Sequence, residues 1–346
     1  MKAFAILLLL FLTISCGNEA KVNQQKLIAS KTAAAQKTAT EKEPKEKVGN
    51  SNTIENLIQQ SKVYADKLYF DLDYIRNKGL ADKKYFAEFL GFYLKLNKVL
   101  EDEASRKEIQ ERIKPFYEVT KNADYHNMAT VDDKLFKKNS MSYMRIMWLF
   151  KELGFDITYY KKEFQKVKKR MDDHMRIRGE WQRVVFDKYY DFFELEKPAI
   201  LLKSKNLKGP ISSQQPVSYY KRTNAYILTH FVFAAYDYGN ALTQTKFDEK
   251  DLAYLSKILP PLVAEFEEQE DDDLVAELLT CMVFLKQTDD LFQDSYNRLL
   301  YRQNNDGSFG DYEKYRPKIG TDVEFRAYLH TTLVALEMFV EHQVRN

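Results

Sequence analysis

The stretch that decides the fold reads Gln303-Asn304-Asn305-Asp306-Gly307-Ser308-Phe309-Gly310. It lies between two segments, 288–302 and 322–343, whose apolar residues recur at helical spacing. Asp306-Gly307 supplies a position that tolerates a positive φ, as a tight turn requires. We expect the ring of Phe309 to fix this turn against the core. The stretch therefore predicts a defined turn between two packed helices.

This turn and the segment after it resemble a motif of the α/α toroids. Terpenoid cyclases, protein prenyltransferase β subunits and related toroids carry a Gln-x-x-Asp-Gly-Ser-aromatic-Gly turn. The resemblance implies that Gln303 and the glycines organise a connection between an outer and an inner helix, with the inner helix following at 328–337. The resemblance is clear for the turn and for that helix. In the rest of the chain it consists only of apolar residues that recur at helical spacing. The nearest members of the superfamily are those without an assigned activity.

The chain reads as helical from about residue 53. No run alternates polar and apolar residues long enough to indicate a sheet. We therefore predict an all-α domain over 53–346, an α/α toroid of about 10–12 helices. An open solenoid is the alternative, but no fixed repeat period is visible. The longest loop is expected at 198–216, and further helices are predicted at 105–121, 132–153, 157–178, 180–195, 217–238, 248–258, 261–268 and 273–286.

Residues 1–15 carry an export signal. The apolar run from Ala3 to Ile14 is too short to span a bilayer but suits a signal-peptide core. Thr13-Ile14-Ser15-Cys16 resembles the end of a bacterial lipoprotein signal peptide, which implies that Cys16 becomes lipidated. An ordinary secretory signal cut near Ser15 or Ala20 is the alternative. Since Gly17 is not the Asp typical of inner-membrane retention, we expect an anchor in the outer membrane.

Residues 16–52 are predicted to be the lipidated cysteine and a disordered tether. No aromatic residue occurs between the signal peptide and Tyr64, so this stretch cannot bury enough apolar surface to order itself. Its typical reach is about 33 Å as a random coil. With Cys16 lipidated, Cys281 has no disulfide partner, and its apolar surroundings predict a buried thiol.

Composition and motifs exclude several function classes. The net charge of +2 gives no electrostatic case for nucleic acid. The acidic run from Glu270 to Asp273 lacks the complete cyclase motifs and is typical of a helix start. Leu279 occupies the position where a prenyltransferase zinc site would need an Asp, so we predict no metal and no cofactor.

One set of polar residues lies on or beside apolar helical stripes, where an unpaired charge would be costly. His230 and Asp237 are two helical turns apart and share a face with Tyr226. If the fold is a toroid, their helix ends could gather at one mouth of the barrel, where acid–base chemistry on a sugar is feasible. The alternative is a set of satisfied buried polar groups. The full candidate cavity set is Tyr226, His230, Asp237, Asp273, Glu277, Asp306 and His330.

Two function classes stay open at this point. The first is a lipid-anchored envelope module that binds a glycan, a lipid-like ligand or an envelope protein in a concave surface. The second is an enzyme, a glycan hydrolase or lyase or an isoprenoid-type enzyme, that uses His and carboxylates in the cavity. Convergent carboxylates and histidines in an open cavity would favour the enzyme, whereas a filled apolar centre would favour the module.

We expect Cys16→Ala to abolish acylation, because only a thiol at this position accepts the lipid. The measurement is incorporation of radiolabelled palmitate in a bacterial host. Cys281→Ala is the matched control and should retain the label. Persistent labelling of Cys16→Ala would contradict the lipoprotein prediction.

Overall fold

The structure, a computed structural model, describes residues 83–345 apart from 101, 204–208, 245 and 313–327, together with Asn56, Leu57, Gln59, Gln60 and Val63. By internal contacts, the chain from Asn52 to Asn346 forms one unit. The predicted signal peptide, Cys16 and the predicted tether lie outside the described residues and stay predictions.

All regular structure in the described part of the chain is helical, which confirms the all-α prediction. Four short 3₁₀ helices connect the longer elements, at Ala123–Ala129, Met175–Ile177, Val217–Tyr219 and Asp237–Gly239. Twelve α-helices occur in this part: α1 Lys83–Val99, α2 Glu103–Val119, α3 Asp133–Glu152, α4 Thr158–His174, α5 Glu180–Phe192, α6 Ala199–Lys203, α7 Gly209–Ser212, α8 Arg222–Ala235, α9 Glu249–Glu268, α10 Asp272–Phe284, α11 Asp290–Tyr301 and α12 Leu329–Arg345.

Aspartate side chains begin many of these helices. The carboxylates of Asp102, Asp132 and Asp289 each accept a hydrogen bond from the backbone N–H three residues later, at 2.7, 2.8 and 3.1 Å. Asp271 caps α10 in the same way. Each cap satisfies an N–H that the helix leaves open and is worth about 1 kcal/mol.

Several element boundaries differ from the sequence prediction. The sequence predicts separate helices at 248–258 and 261–268, yet α9 continues through Pro260 and Pro261. Buried residues on both sides, Leu255, Leu259 and Leu262, keep one face of α9 packed, and this packing outweighs the lost N–H donors. The predicted loop 198–216 contains the short helices α6 and α7.

Six of the described helices contact one another in a closed cyclic order, α1–α3–α5–α8–α10–α12 and back to α1. We call these six the helical ring. The helices α2, α4, α9 and α11 pack on ring members and contribute no residue to the space that the ring encloses. A ring of this kind is a component of α/α toroids, and membership of that superfamily stays a prediction.

The ring helices run in the same direction. The N-terminal ends of neighbouring helices contact each other, and so do their C-terminal ends. Asp273 and His330 are the second residues of α10 and α12, and their side chains lie 3.5 Å apart. At the opposite end, Lys95 of α1 pairs with Glu341 of α12. One mouth of the ring is therefore formed by helix N-termini and the other by C-termini.

Aromatic side chains fill the space between the ring and the outer helices. Phe86 of α1 packs on Phe116 of α2 with ring centroids 6.3 Å apart, and Phe150 of α3 packs on Tyr160 of α4 at 5.7 Å.

Cys281 is buried, as predicted from its apolar surroundings. Among the described residues, no helix has both the length and the apolar character needed to cross a bilayer.

The turn at 303–310 is built as the sequence indicates. Gly307 has a φ of +90°, and Phe309 is fully buried. The backbone N–H of Phe309 donates to the hydroxyl of Thr332 on α12 at 2.9 Å. The turn is therefore fastened directly to the helix that closes the ring.

A chain that begins at residue 53 should unfold in one cooperative step at the melting temperature of the full-length protein. The physical reason is that the predicted tether has too little apolar surface to pack on the domain. Differential scanning calorimetry of both chains makes the comparison. Two separated transitions, or a melting temperature lowered by several degrees, would contradict a tether that is dispensable for folding.

Candidate functional site

The helical ring encloses a cavity of about 740 Å³, a volume within the usual range for small-molecule sites. All six ring helices line it. Both tryptophans of the sequence, Trp148 and Trp181, are among the lining residues. The centre of the ring is therefore an open space with aromatic and charged walls, not a filled apolar core. One representative from each ring helix is Glu88, Arg145, Trp181, His230, Glu277 and His330.

His330 lies between carboxylates of two neighbouring helices. Its Nδ1 is 3.1 Å from Oε1 of Glu88 on α1, and its Nε2 is 3.5 Å from Oδ1 of Asp273 on α10. Burial opposes the charged imidazolium, but Glu88 and Asp273 outweigh it and raise the pKa of His330 to about 9. His330 is therefore a cation at neutral pH.

Glu88 is the ionised partner in this arrangement. Burial disfavours its charge, but the His330 imidazolium and the nearby Lys84 ammonium outweigh burial and lower the pKa of Glu88 to about 2. Lys84 Nζ is 3.4 Å from Oε1 of Glu88. Three charges are thus held together at the mouth formed by the helix N-termini.

Glu277 behaves in the opposite way. Burial, followed by repulsion from the Asp273 carboxylate, raises the pKa of Glu277 above its ordinary value. Its Oε2 accepts a short hydrogen bond from the hydroxyl of Thr229 on α8. Glu88 and Glu277 are carboxyl groups of one cavity, yet their environments drive their pKa values apart. Such separation is how a protein holds one acid neutral beside an ionised one.

His230 is a neutral imidazole with a defined tautomer. Its Nδ1 is 2.8 Å from the backbone carbonyl of Tyr226, and since a carbonyl can only accept, Nδ1 carries the proton. Burial, reinforced by the positive charge of Lys84, lowers the pKa of His230 to about 3. The ring packs edge-on to Trp181 at 4.7 Å. Nε2 is left as an acceptor for a ligand.

The opposite mouth carries ion pairs. Lys95 lies 3.2 Å from Glu337 and also pairs with Glu341. Lys188 of α5 lies 2.6 Å from Asp237. Asp237 was expected on the same helix as His230, but α8 ends at Ala235 and Asp237 adopts a φ of +52° in the following turn. It lines the cavity as a partner of Lys188, not of His230.

The structure brings most of the predicted site residues together. Tyr226, His230, Asp237, Asp273, Glu277 and His330 all line the one cavity. Asp306 does not, and its assignment to the cavity was wrong. Its Oδ1 accepts from the backbone N–H and the hydroxyl of Ser308 at 3.0 and 2.7 Å. This local turn geometry, which aspartate favours, uses the side chain within the loop.

Sequence reasoning missed Glu88 and Arg145, which line the cavity from α1 and α3. A usable signal existed in α1, where Lys84, Glu88 and Lys95 recur at helical spacing within an aromatic-rich segment. Charged residues in phase on such a helix indicate a polar face that is enclosed by protein.

Asp273, Glu277 and His330 each offer one donor atom, and these atoms lie within 4.8 Å of one another. Among the described residues, these three have donor atoms close enough together to hold a divalent cation. The raised pKa of His330 opposes this, because a metal would have to displace the imidazole proton that Glu88 and Asp273 stabilise. The arrangement as it stands is a hydrogen-bonding and ion-pairing cluster.

Comparison with known families gives one match. A family described as a domain of unknown function (DUF6895) matches residues 194–340, somewhat under half of the chain. The matched segment contains His230, Asp273, Glu277 and His330, but Glu88 and Arg145 lie outside it. No curated protein and no solved structure matches the chain.

The raised pKa of His330 predicts a pH-dependent stability. Its folded value of about 9 lies above the ordinary 6.5, so its contribution is complete below about pH 6.5 and is lost as the pH rises through 9. His330→Gln should therefore cost most at pH 6 and little at pH 10. The full shift corresponds to about 3 kcal/mol. We expect about 1–2 kcal/mol, because the side chain is 22% accessible from the cavity.

Urea unfolding of both proteins between pH 6 and 10 provides the measurement. His342→Gln is the control: burial lowers the pKa of His342 below its ordinary 6.5, so this residue does not titrate near pH 9 and should not change the slope there. Parallel profiles for wild type and His330→Gln would contradict the charged His330.

Proposed function

We propose that the chain is a lipid-anchored protein of the bacterial cell envelope, that its helical ring is an α/α toroid, and that its cavity binds and acts on a glycan. The observation that carries this proposal is the convergence of carboxylates and imidazoles in an open cavity. A scaffold without a ligand would gain more stability from apolar packing at that position.

The lining suits a polyhydroxylated ring better than a hydrocarbon chain. Trp148, Trp181 and Tyr226 offer flat apolar surfaces. Between them lie donors and acceptors such as His230 Nε2. A sugar presents this same combination of apolar faces and hydroxyl edges, whereas an isoprenoid would leave the buried charges unsolvated.

Glu277 is suited to be the proton donor. A raised pKa keeps its carboxyl group protonated at neutral pH, as general acid catalysis requires. Asp273 lies one helical turn before it and contacts two cations, Arg222 at 3.3 Å and His330 at 3.5 Å. It supplies the negative charge that a sugar cation needs as the glycosidic bond breaks.

The corresponding reaction is hydrolysis with retention of configuration. Glu277 gives its proton to the departing glycosidic oxygen while the Asp273 carboxylate attacks the anomeric carbon. Water then releases the sugar and returns a proton to Glu277. The donor oxygens of the two acids lie within 4.8 Å, and an inverting enzyme would need about 6.5–9.5 Å to admit a water between them.

A non-catalytic binding module, for a glycan or an envelope protein, is the second candidate. The observation that favours it is the 3% exposure of the side chains of Asp273 and Glu277. In that case the cluster would hold α8, α10 and α12 together, and ligands would contact His230, His330 and the aromatic walls alone.

Glu277→Gln separates the two candidates. Gln keeps an oxygen for the Thr229 hydroxyl but cannot donate a proton to a leaving group. Once a screen of envelope and plant oligosaccharides identifies a cleaved substrate, we expect this variant to lower kcat about 10²–10⁴-fold, with binding changed less than threefold. The melting temperature should be unchanged or higher, because the variant replaces one buried carboxyl group by an uncharged amide.

Glu194→Gln, whose parent side chain is 82% exposed, is the matched control and should retain full activity. Chromatography of the products and titration calorimetry provide the two readouts. Binding without turnover in the wild type would support the module. If no glycan is bound or cleaved, the proposed function is wrong.

A further inference from the structure

One arginine in the cavity wall contacts no carboxylate of the described residues. Arg145 projects from the middle of α3 into the cavity and is half-buried. It forms no hydrogen bond and no ion pair with any residue that the structure describes. A guanidinium cannot lose its charge in a protein, and its five N–H donors need acceptors.

The neighbouring cations are paired, which makes Arg145 different from them. Lys84 lies 3.4 Å from Glu88, Lys95 lies 3.2 Å from Glu337, and Lys188 lies 2.6 Å from Asp237. Arg222 lies 2.7 Å from Asp271. Each of these four side chains contacts a carboxylate. Lys98, which also lines the cavity, instead donates to Oδ1 of Asn240 at 2.8 Å. The guanidinium of Arg145 stabilises the Glu88 charge through space but contacts no carboxylate of the described residues.

The facing helix leaves room for the Arg145 head group. A Cβ at Gly91 of α1 would lie 3.1 Å from Nη2 of Arg145, closer than ordinary packing allows. A glycine inside a helix is less favourable than an alanine. At Gly91 its effect is to let the guanidinium lie against the backbone of α1.

An aromatic surface lies one turn further along α3. Trp148 follows Arg145 by three residues and therefore shares its face of the helix. The Lys188 ammonium lies 4.1 Å from the centroid of the Trp148 ring. A ligand that contacts Arg145 is thus beside a flat apolar surface and an ion-paired lysine.

We propose that Arg145 binds the carboxylate of an acidic sugar, which makes the substrate or ligand of this cavity a uronate-containing glycan. This inference rests on the proposed glycan function and specifies its substrate class. The planar fork of a guanidinium matches the two oxygens of a carboxylate. The one positive charge of the guanidinium matches a carboxylate better than a phosphate monoester, which carries nearly two negative charges.

Tryptophan fluorescence is a direct probe, since both tryptophans line the cavity. We would titrate the full-length protein in detergent with glucuronate, its neutral methyl ester and glucose 6-sulfate at constant ionic strength. The wild type should bind glucuronate at least tenfold more tightly than the ester or the sulfate. Arg145→Met should abolish this preference.

Lys169→Met is the matched control, because it removes one positive charge at a side chain that is 91% exposed on α4. It should keep the preference for glucuronate. Equal affinity for the acid and its ester, a preference for the sulfate, or a preference that survives in Arg145→Met would overturn the inference.

A sugar-free measurement separates this inference from the proposed function. At equal ionic strength, acetate in place of chloride should raise the melting temperature of the wild type by at least 2 °C and leave Arg145→Met unchanged. If acetate does so but no sugar binds, the glycan function fails and the carboxylate site stands. If acetate has no effect that depends on Arg145, the site is wrong, whether or not neutral glycans bind.

Discussion

Helix α12 packs between α10 and α1 and thereby joins the last part of the chain to the first described helix. The cavity depends on this closure, since without α12 the other five helices would form an open arc. His330 lies at the seam and contacts Glu88 on one side and Asp273 on the other. The turn at 303–310 fixes where α12 begins, because Phe309 is buried and bonded to Thr332. Ring closure and the ion-pair cluster are thus produced by the same few residues.

The charged cluster is an expensive way to hold helices together. Removing two charges from water costs several kcal/mol per ion, and apolar replacements of buried ion pairs are often neutral or stabilising. The aromatic layer between the ring and the outer helices, with pairs such as Phe86 and Phe116, already supplies a large apolar core. The polar interior of the ring is therefore not needed to stabilise the fold. One cavity contains both Glu88, whose pKa is lowered, and Glu277, whose pKa is raised. Such perturbed pKa values are typical of reactive sites and are not needed in a structural core.

The fold was readable from the sequence to the extent that it depends on local pattern. Apolar periodicity located the long helices, the acidic run from Glu270 to Asp273 marked the start of α10, and the glycine turn located the last helix hairpin. The division into helices at 248–258 and 261–268 was wrong, because burial on both sides of Pro260-Pro261 keeps α9 intact. Part of the candidate site was also predictable from the sequence, because it depends on the same local pattern. His230, Asp273, Glu277 and His330 are polar residues on apolar stripes, which periodicity detects. Asp306 failed because aspartate in a turn is used locally, and Arg145 was missed because an unpaired arginine is defined only by its surroundings in space.

The family match covers α8, α10 and α12 but not α1, α3 and α5. The two acids of the proposed reaction, Asp273 and Glu277, lie in the matched segment. The unmatched half supplies Glu88, which holds His330 in its charged form, and Arg145 and both tryptophans, which shape the rest of the wall. Neither half encloses the cavity alone, because three parallel helices cannot form a closed ring. The cavity is consequently a property of the whole ring, and the reaction proposed for the matched segment depends on side chains that the match does not contain.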